Sequence, residues 1–262
     1  MKNNNKSFNQ PQQQTKPSYI PPTPQPILQK LITSIDTYDS YTFKTILMEH
    51  QLQLQTKNFL LNKALLIYLS APPQINSLPL KQIISLLLSF QANPNIRLRY
   101  PTDQMNMAPT NNNNNYALFN LVEKNDLEMT QLFLDSGAEV NICDTTGKNC
   151  LFHMMKNINF DLRKMCVLLL NKGIKINSCD SNGFTPLMEL INRNILYLLD
   201  IFLKYNVDIN GVNFKDGNTA LHYAVMLNNR EAVWFLLTNA KPNIEIKNKN
   251  GDSVVDLAKK GK

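Results

Sequence analysis

The hydrophobic and polar residues of this chain repeat with a long period. An eight-residue pattern that opens with glycine and carries apolar residues at its fifth and eighth positions begins at Gly147, Gly183, Gly217 and Gly251, so the spacings are 36, 34 and 34 residues. A further copy begins at Asn114, 33 residues before Gly147. Self-similarity at this period is typical of stacked-repeat proteins, in which each unit buries its apolar side against its neighbours.

Two short helices are predicted in every unit. The first helix carries a core-facing leucine at the same position of each unit, namely Leu118, Leu151, Leu187 and Leu221. A second apolar set at helical spacing, which begins at Leu127 in the first unit, predicts the second helix. A residue with positive φ is expected to end it. The residues at that position in successive units are Gly137, Gly173, Asn206 and Asn239.

The motifs inside the units resemble the ankyrin repeat. Thr219-Ala-Leu-His222-Tyr-Ala224 and Thr185-Pro186-Leu187 are similar to its Thr-Pro-Leu-His-x-Ala core, and Leu132 to Asn141 is similar to its Leu-Leu-Leu-x-x-Gly-Ala-x-Val-Asn segment. The resemblance implies an all-α fold, a solenoid of stacked helix-turn-helix units with hairpin-like loops. In each unit a threonine or its substitute is expected to cap the first helix.

The chain is predicted to contain four regions. Residues 1–26 are a disordered tail rich in Asn, Gln and Pro, because too few apolar groups are present to offset the entropy of ordering. Residues 27–95 are a degenerate N-terminal cap and repeat, and 96–115 are an Asn-rich insertion loop. Residues 116–262 are four ankyrin-like repeats plus a terminal half-repeat, with extra residues near 157–160.

Composition excludes several functional classes. Net charge is +7, but the 27 basic residues are scattered without a run of five, so nucleic acid binding is not favoured. The sequence contains no run of 18 apolar residues, so no membrane span is predicted. The four cysteines lack Cys-x-x-Cys spacing, and the equivalent Cys143 and Cys179 are expected to serve as small apolar side chains. Free thiols fit a reducing compartment, so a cytoplasmic location is expected, with the nucleus as an alternative.

No catalytic motif is present in the sequence. It contains no phosphate-binding loop, no Gly-x-Gly-x-x-Gly and no His-Glu-x-x-His. Of the three histidines, His222 lies in the repeat motif and is expected to be structural, whereas His153 is expected on an exposed helix face. We therefore expect no enzymatic activity, no cofactor and no metal site.

The family resemblance implies a concave groove formed by the loop tips and the first helices, and in this family the groove usually binds another protein. Carried over by position, the candidate partner-binding residues are Lys148, His153, Lys156, Phe184, Glu189, Arg193, Phe214, Lys215, Tyr223 and Met226. Aromatic residues are the stronger candidates, because binding energy concentrates in a few aromatic and Arg side chains. Trp234, on a second helix, is expected to pack against the terminal half-repeat.

The sequence thus predicts a monomeric, non-enzymatic protein–protein interaction module, a scaffold-like adaptor or inhibitor. Two alternatives remain. The first is a basic surface that binds nucleic acid or anionic lipid, for which affinity would fall steeply with salt. The second is a regulatory or spacer fragment of a larger protein, suggested by the position of Lys262 after a single helix of the last unit.

Overall fold

A computed structural model of the chain describes residues 22–71, 77–99 and 115–260. Residues 1–21 of the predicted tail and residues 100–114 of the predicted insertion lie outside these ranges. The N-terminal helices are α1 (Gln25–Asp36), α2 (Ser40–Glu49), α3 (Leu54–Ser70) and α4 (Leu78–Ser89). They are followed by α5 (Ala117–Glu123), α6 (Leu127–Asp135), α7 (Cys150–Met154), α8 (Arg163–Asn171), α9 (Pro186–Asn192), α10 (Leu199–Lys204), α11 (Ala220–Met226), α12 (Arg230–Phe235) and α13 (Val254–Lys260).

These helices stack in two parallel columns. The odd-numbered helices, which are the first helices of their units, contact one another in chain order from α1 to α13. The second helices contact one another in the same way from α2 to α10, and α12 packs against α11. Each unit therefore lies between its sequence neighbours, as in a solenoid. The predicted all-α stacked-repeat fold is confirmed.

The core follows the period of the sequence. The four predicted core leucines of α5, α7, α9 and α11 are each at most 1% exposed. They are buried because each occupies the same place in its helix and lies between the first helices of adjacent units. Side chains of this size contribute about 1.5–3 kcal/mol each when fully buried.

Side-chain caps define where the first helices begin. Thr185 and Thr219 cap α9 and α11, and each accepts a hydrogen bond from the backbone N–H three residues later. His222 Nδ1 accepts a reciprocal bond from the Thr219 N–H at 3.2 Å, and Met188 Sδ replaces it in α9 at 3.5 Å from the Thr185 nitrogen. Asn149 caps α7. The expected N-caps are confirmed for these three helices and wrong for α5, where Tyr116 at the cap position makes no side-chain hydrogen bond to the helix.

The ends of the second helices agree with prediction in three units and differ in the fourth. Gly137, Gly173 and Asn206 have φ values of 92°, 82° and 55°. The prediction that Asn239 ends the fourth second helix is wrong. A π-helical turn (Leu236–Ala240) extends α12 and moves the end of the helix, so Lys241 adopts the left-handed conformation with φ 48°.

Asparagine side chains fix the spacing between units. After each of the second helices α4, α6, α8 and α10, an asparagine Oδ1 accepts a hydrogen bond of 2.8 Å from a backbone N–H in the next unit. The pairs are Asn95 with Glu139, Asn141 with Lys175, Asn177 with Asp208, and Asn210 with Asn243. Because these bonds satisfy loop amides through a neighbouring unit, they hold successive loops in register.

The irregular unit lengthens between its helices. The helix α7 ends at Met154 and α8 begins at Arg163, whereas only three residues separate α5 from α6 and α11 from α12. The extra residues predicted near 157–160 are therefore confirmed. Phe160 and Ile158 in this loop are exposed.

Two of the four cysteines are buried and two are exposed. Cys150 and Cys166 are buried in helices, and burial raises the pKa of the Cys166 thiol to about 12. Cys143 and Cys179 are exposed, so the expectation that they fill apolar space is wrong. They lie in loops that lead to the tips, where the neighbouring unit does not cover them. Among the described helices, none is both long and apolar enough to cross a bilayer.

Candidate functional site

The loop tips and the first helices form one side of the stack, which we call the inner face. It comprises the tips 144–149, 180–185, 213–219 and 248–253, the helices α5, α7, α9 and α11 with the two residues after each, and α13. Two pairs of adjacent tips are bonded to each other: the Ser181 N–H donates to the Thr146 carbonyl at 2.7 Å, and the Lys249 N–H donates to the Asp216 carbonyl at 2.9 Å. The second and third tips touch, because Phe214 packs against Gly183. The tips therefore form a continuous row.

Each tip is closed by an Asp or Asn side chain at its start. Asp144 Oδ1 accepts from the Thr146 and Lys148 N–H groups, and Asp180 Oδ1 accepts from those of Asn182 and Phe184. Asn213 and Asn248 accept equivalent bonds in the next two tips. Because the side chain mimics a turn of backbone, these residues favour tight turns. The carboxylates here thus have an architectural role.

Five apolar side chains lie together on the inner face, and we call them the apolar stripe: Phe184, Phe214, Tyr223, Met226 and Leu227. The rings of Phe184 and Tyr223 are 4.7 Å apart. The Phe214 ring lies against the backbone of Gly183, where an added Cβ would come within 2.8 Å of it. Met226 and Leu227 follow Tyr223 by three and four residues, so they share its face of α11.

The stripe is both exposed and held in place. Phe214 is 56% exposed, Met226 57% and Leu227 48%. The Tyr223 hydroxyl donates to Asp216 Oδ2 at 2.6 Å and receives a bond from Asn213 Nδ2 at 3.0 Å. Burial and the Asp216 carboxylate raise the pKa of Tyr223, so its hydroxyl stays protonated. An aromatic ring fixed in this way loses little entropy when a partner contacts it.

A charged cluster lies further toward the N-terminus on the same face. Glu123 Oε1 is 2.6 Å from His153 Nδ1 and 2.7 Å from Lys156 Nζ. Burial disfavours the ionised form of Glu123, but the hydrogen bonds from His153 and Lys156 outweigh it and lower the carboxyl pKa. His153 Nε2 lies 3.3 Å from Asp144 Oδ2, without hydrogen-bond geometry. The cluster joins α5, α7 and the tip between them.

Two further ion pairs on the inner face involve predicted site residues. Arg193, the first residue after α9, places its Nε 2.5 Å from Glu189 Oε1, and Lys148 Nζ is 3.9 Å from Asp180 Oδ2. Lys215, beside Phe214 in its tip, is exposed. The predicted site residues thus separate into the apolar stripe, the His153–Lys156 cluster, the Arg193 and Lys148 pairs, and Lys215 by itself.

Two of the predicted positions are not exposed. His153 is 1% exposed rather than solvent-facing, because its ring stacks on Phe119 of the preceding unit at 3.8 Å and lies between two carboxylates. Glu189 is 7% exposed, because Arg193 covers it. Phe184 and Tyr223 are half-buried against each other. The predicted site residues that are exposed to solvent are therefore Phe214, Met226 and the basic residues.

Sequence reasoning missed some members of the site. Leu227 extends the apolar stripe, and its position i+4 to Tyr223 was the available signal. Asp144 Oδ2 lies 3.3 Å from His153 Nε2, and the sequence offers no signal for this approach because eight residues, including the rest of the tip, lie between them. Trp234 is 67% exposed, so the expectation that it packs on the terminal half-repeat is wrong. It lies instead beside Leu196, Arg230 and Phe235 on the second-helix side.

The two columns of helices and the row of loop tips define a helical-repeat protein with one open side. A family model described as "Ankyrin repeats (3 copies)" matches residues 118–210 and again residues 154–250, which together extend over just over half of the chain. The chain belongs to the ankyrin-repeat family, as its motifs indicated. Members of this family are generally protein–protein interaction modules and are typically non-enzymatic. Among curated proteins, none matches the chain.

Proposed function

We propose that this chain is a non-enzymatic adaptor or inhibitor that binds another protein through the inner face, with the apolar stripe as the main anchor. The supporting observation is that Phe214, Met226 and Leu227 remain about half exposed beside ordered groups. Phe214 packs against Gly183, next to Phe184, and Met226 and Leu227 lie one helical turn from the ring of Tyr223, which packs against the ring of Phe184. A contiguous exposed apolar patch on a soluble protein is typical of an interaction site.

The charged pairs beside the stripe support the same proposal. Arg193 is held by a nearly buried carboxylate, so its guanidinium is oriented before any partner arrives. Interfaces place aromatic and Arg anchors at the centre and polar groups around them. The stripe, with Lys215 beside Phe214 in its tip and Arg193 at the end of the neighbouring first helix, has this arrangement.

A capture experiment tests the proposal. The full chain is immobilised, and bound proteins are quantified by mass spectrometry against a variant carrying Phe214→Ala and Met226→Ala. We expect at least one saturable partner whose affinity for the variant is about 100-fold lower, equivalent to about 2.8 kcal/mol, since hot-spot residues cost about 2 kcal/mol or more each.

The matched control carries Tyr41→Ala and Met48→Ala, which remove another exposed aromatic and methionine, 81% and 65% exposed, from α2. This control should retain the partner. Both variants should unfold at the same temperature as the unmodified chain. If every bound protein responds equally to the two variants, the apolar stripe is not the binding site.

We further propose that the protein is a monomer in a reducing compartment such as the cytoplasm. The support is chemical: Cys150 and Cys166 are buried as free thiols, and Cys143 and Cys179 are exposed without a disulfide. Sedimentation of the purified chain with and without reductant tests both parts. A reductant-sensitive dimer would contradict the proposal.

A further inference from the structure

Exposed charges on the inner face have a single sign. Every charged residue of this face that is exposed is a lysine or an arginine: Lys124, Lys156, Arg193, Lys215, Lys249, Lys259 and Lys260. The acidic residues of the same face, Glu123, Asp144, Asp180, Glu189, Asp216, Asp252 and Asp256, are all half-buried or buried. The face therefore presents positive charge to a partner, although with half-buried Lys148 it contains eight basic residues and seven acidic ones.

The ion pairs show the same asymmetry in their side chains. The Asp180 side chain is 4% exposed and that of its partner Lys148 32%, while the side chain of Glu189, taken without its backbone, is 9% exposed and that of Arg193 37%. At the last tip, Asp252 is 15% exposed and Lys260 65%. Carboxylates turn inward because they accept hydrogen bonds from tip backbone and helix side chains, whereas long basic side chains extend their charged ends to water.

The second-helix side of the stack lacks this segregation. Its exposed residues include the acids Glu128, Asp135, Asp200 and Glu231 as well as the bases Arg163, Lys164, Lys172 and Lys204. The net charge of +7 therefore does not explain the inner face, since the same chain presents both signs on its opposite side. The arrangement is local to the face that carries the apolar stripe.

We propose that the partner segment bound by the apolar stripe is an acidic peptide, with an aromatic or aliphatic side chain flanked by Asp or Glu. This inference rests on the proposed protein-binding function. Lys215 follows Phe214 in its tip, and Lys249 lies on the adjacent tip, bonded through its backbone to Asp216. Neither ammonium group forms an ion pair within the described residues.

Arg193 adds a specific carboxylate contact. Its bond to Glu189 uses Nε, and the guanidinium also carries two terminal NH₂ groups, which can bind a carboxylate in a bidentate manner. The bound segment would therefore contact the apolar stripe at its centre. Lys215 and Lys249 on the two adjacent tips, and Arg193 at the neighbouring first helix, would place positive charge around it. Charges at the edge of an interface mainly accelerate association.

Selection from a displayed library of random peptides on the full chain tests this inference. The tightest peptide that depends on Phe214 and Met226 is then measured by surface plasmon resonance at two salt concentrations. The charge variant carries Lys215→Gln and Lys249→Gln, and its matched control carries Lys164→Gln and Lys204→Gln on second helices, which lowers the net charge equally.

We expect the stripe-dependent peptides to be enriched in Asp and Glu over the starting library. The charge variant should associate about fivefold more slowly at low salt and lose most of the salt dependence, with dissociation nearly unchanged, whereas the control should change by less than about twofold. Stripe-dependent peptides without acidic enrichment, or equal effects of the two variants, would overturn the inference and leave the proposed function standing. No stripe-dependent peptide at all would count against the proposed function itself.

Single-stranded RNA and vesicles containing anionic lipid are measured in parallel. A basic surface of general polyanion affinity would bind these as tightly as the peptides, with equal loss on Lys215→Gln plus Lys249→Gln. That result would also overturn the inference, because recognition would not need the apolar side chain. Binding at least about tenfold weaker than that of the acidic peptide supports it.

Discussion

The unit that begins at Gly217 and the half-unit that begins at Gly251 have the same local structure but opposite burial. Thr219 with His222 and Ser253 with Asp256 form the same reciprocal cap, in which each side chain bonds the backbone N–H of the other. Leu221, however, is 1% exposed, and Val255 at the equivalent position is 43% exposed. A unit forms its caps from its own residues, but its neighbour completes its core.

The largest expected effect is on this core position. Leu221→Ala should lower the free energy of unfolding by about 2–5 kcal/mol, because it opens a cavity between two first helices. Val255→Ala should cost less than about 1 kcal/mol, since solvent already reaches that side chain. Urea unfolding of both variants measures the difference. Equal losses would mean that the half-unit is covered in solution.

The glycines at the start of the two units offer a second contrast. Gly217 and Gly251 have φ values of 76° and 82°, so alanine at either position costs about 1–2 kcal/mol in backbone strain. A Cβ on Gly217 would also lie 2.9 Å from the Lys249 nitrogen, whereas nothing lies within 4 Å at Gly251. We therefore expect Gly217→Ala to be more destabilising by about 1–3 kcal/mol in thermal and urea unfolding. Equal effects would show that the two tips are not in contact.

The smallest expected difference between the two units is in how their stability depends on pH. Burial lowers the pKa of His222 below its usual 6.5, so the unfolded state takes up a proton more readily. The contribution of His222 to stability is complete above about pH 6.5 and is lost as the pH falls below that value. Hydrogen bonds from Ser253 lower the pKa of Asp256 from 3.8, so the contribution of Asp256 is lost only below that value.

His222→Met, which copies the residue found at Met188, tests this difference. The variant should be about 1 kcal/mol less stable at about pH 8, since a buried hydrogen bond is weakened. Its stability should also fall less than that of the unmodified chain between about pH 8 and about pH 5. An unchanged pH dependence would show that His222 does not titrate in that window. Asp256→Asn serves as the control and should leave this interval unaffected.

Much of the fold could be predicted because each repeat carries its own signals. The core leucines, the Thr185 and Thr219 caps and the helix-ending Gly137 and Gly173 depend on residues within a few positions of each other. The end of α12 could not be predicted, because the π-helical turn that moves it to Lys241 has no signature in the apolar pattern.

The site was less predictable, because it depends on contacts between units. His153 is buried by Phe119, Glu123 and Asp144, none of which lies in its own helix. Position in the motif identified Phe184 and Tyr223, but only the stack brings their rings together. The inward orientation of Asp180 and Glu189, and with it the positive character of the inner face, likewise depends on the folded tips and helices.

Hydrogen–deuterium exchange of the full chain with the selected peptide tests most directly whether the inner face binds the partner. We predict slower exchange in residues 184–193 and 212–227, which carry the apolar stripe and Arg193, with residues 196–204 and 230–237 unchanged. Protection confined to the latter segments, around the exposed Trp234, would place binding on the second-helix side and contradict this account.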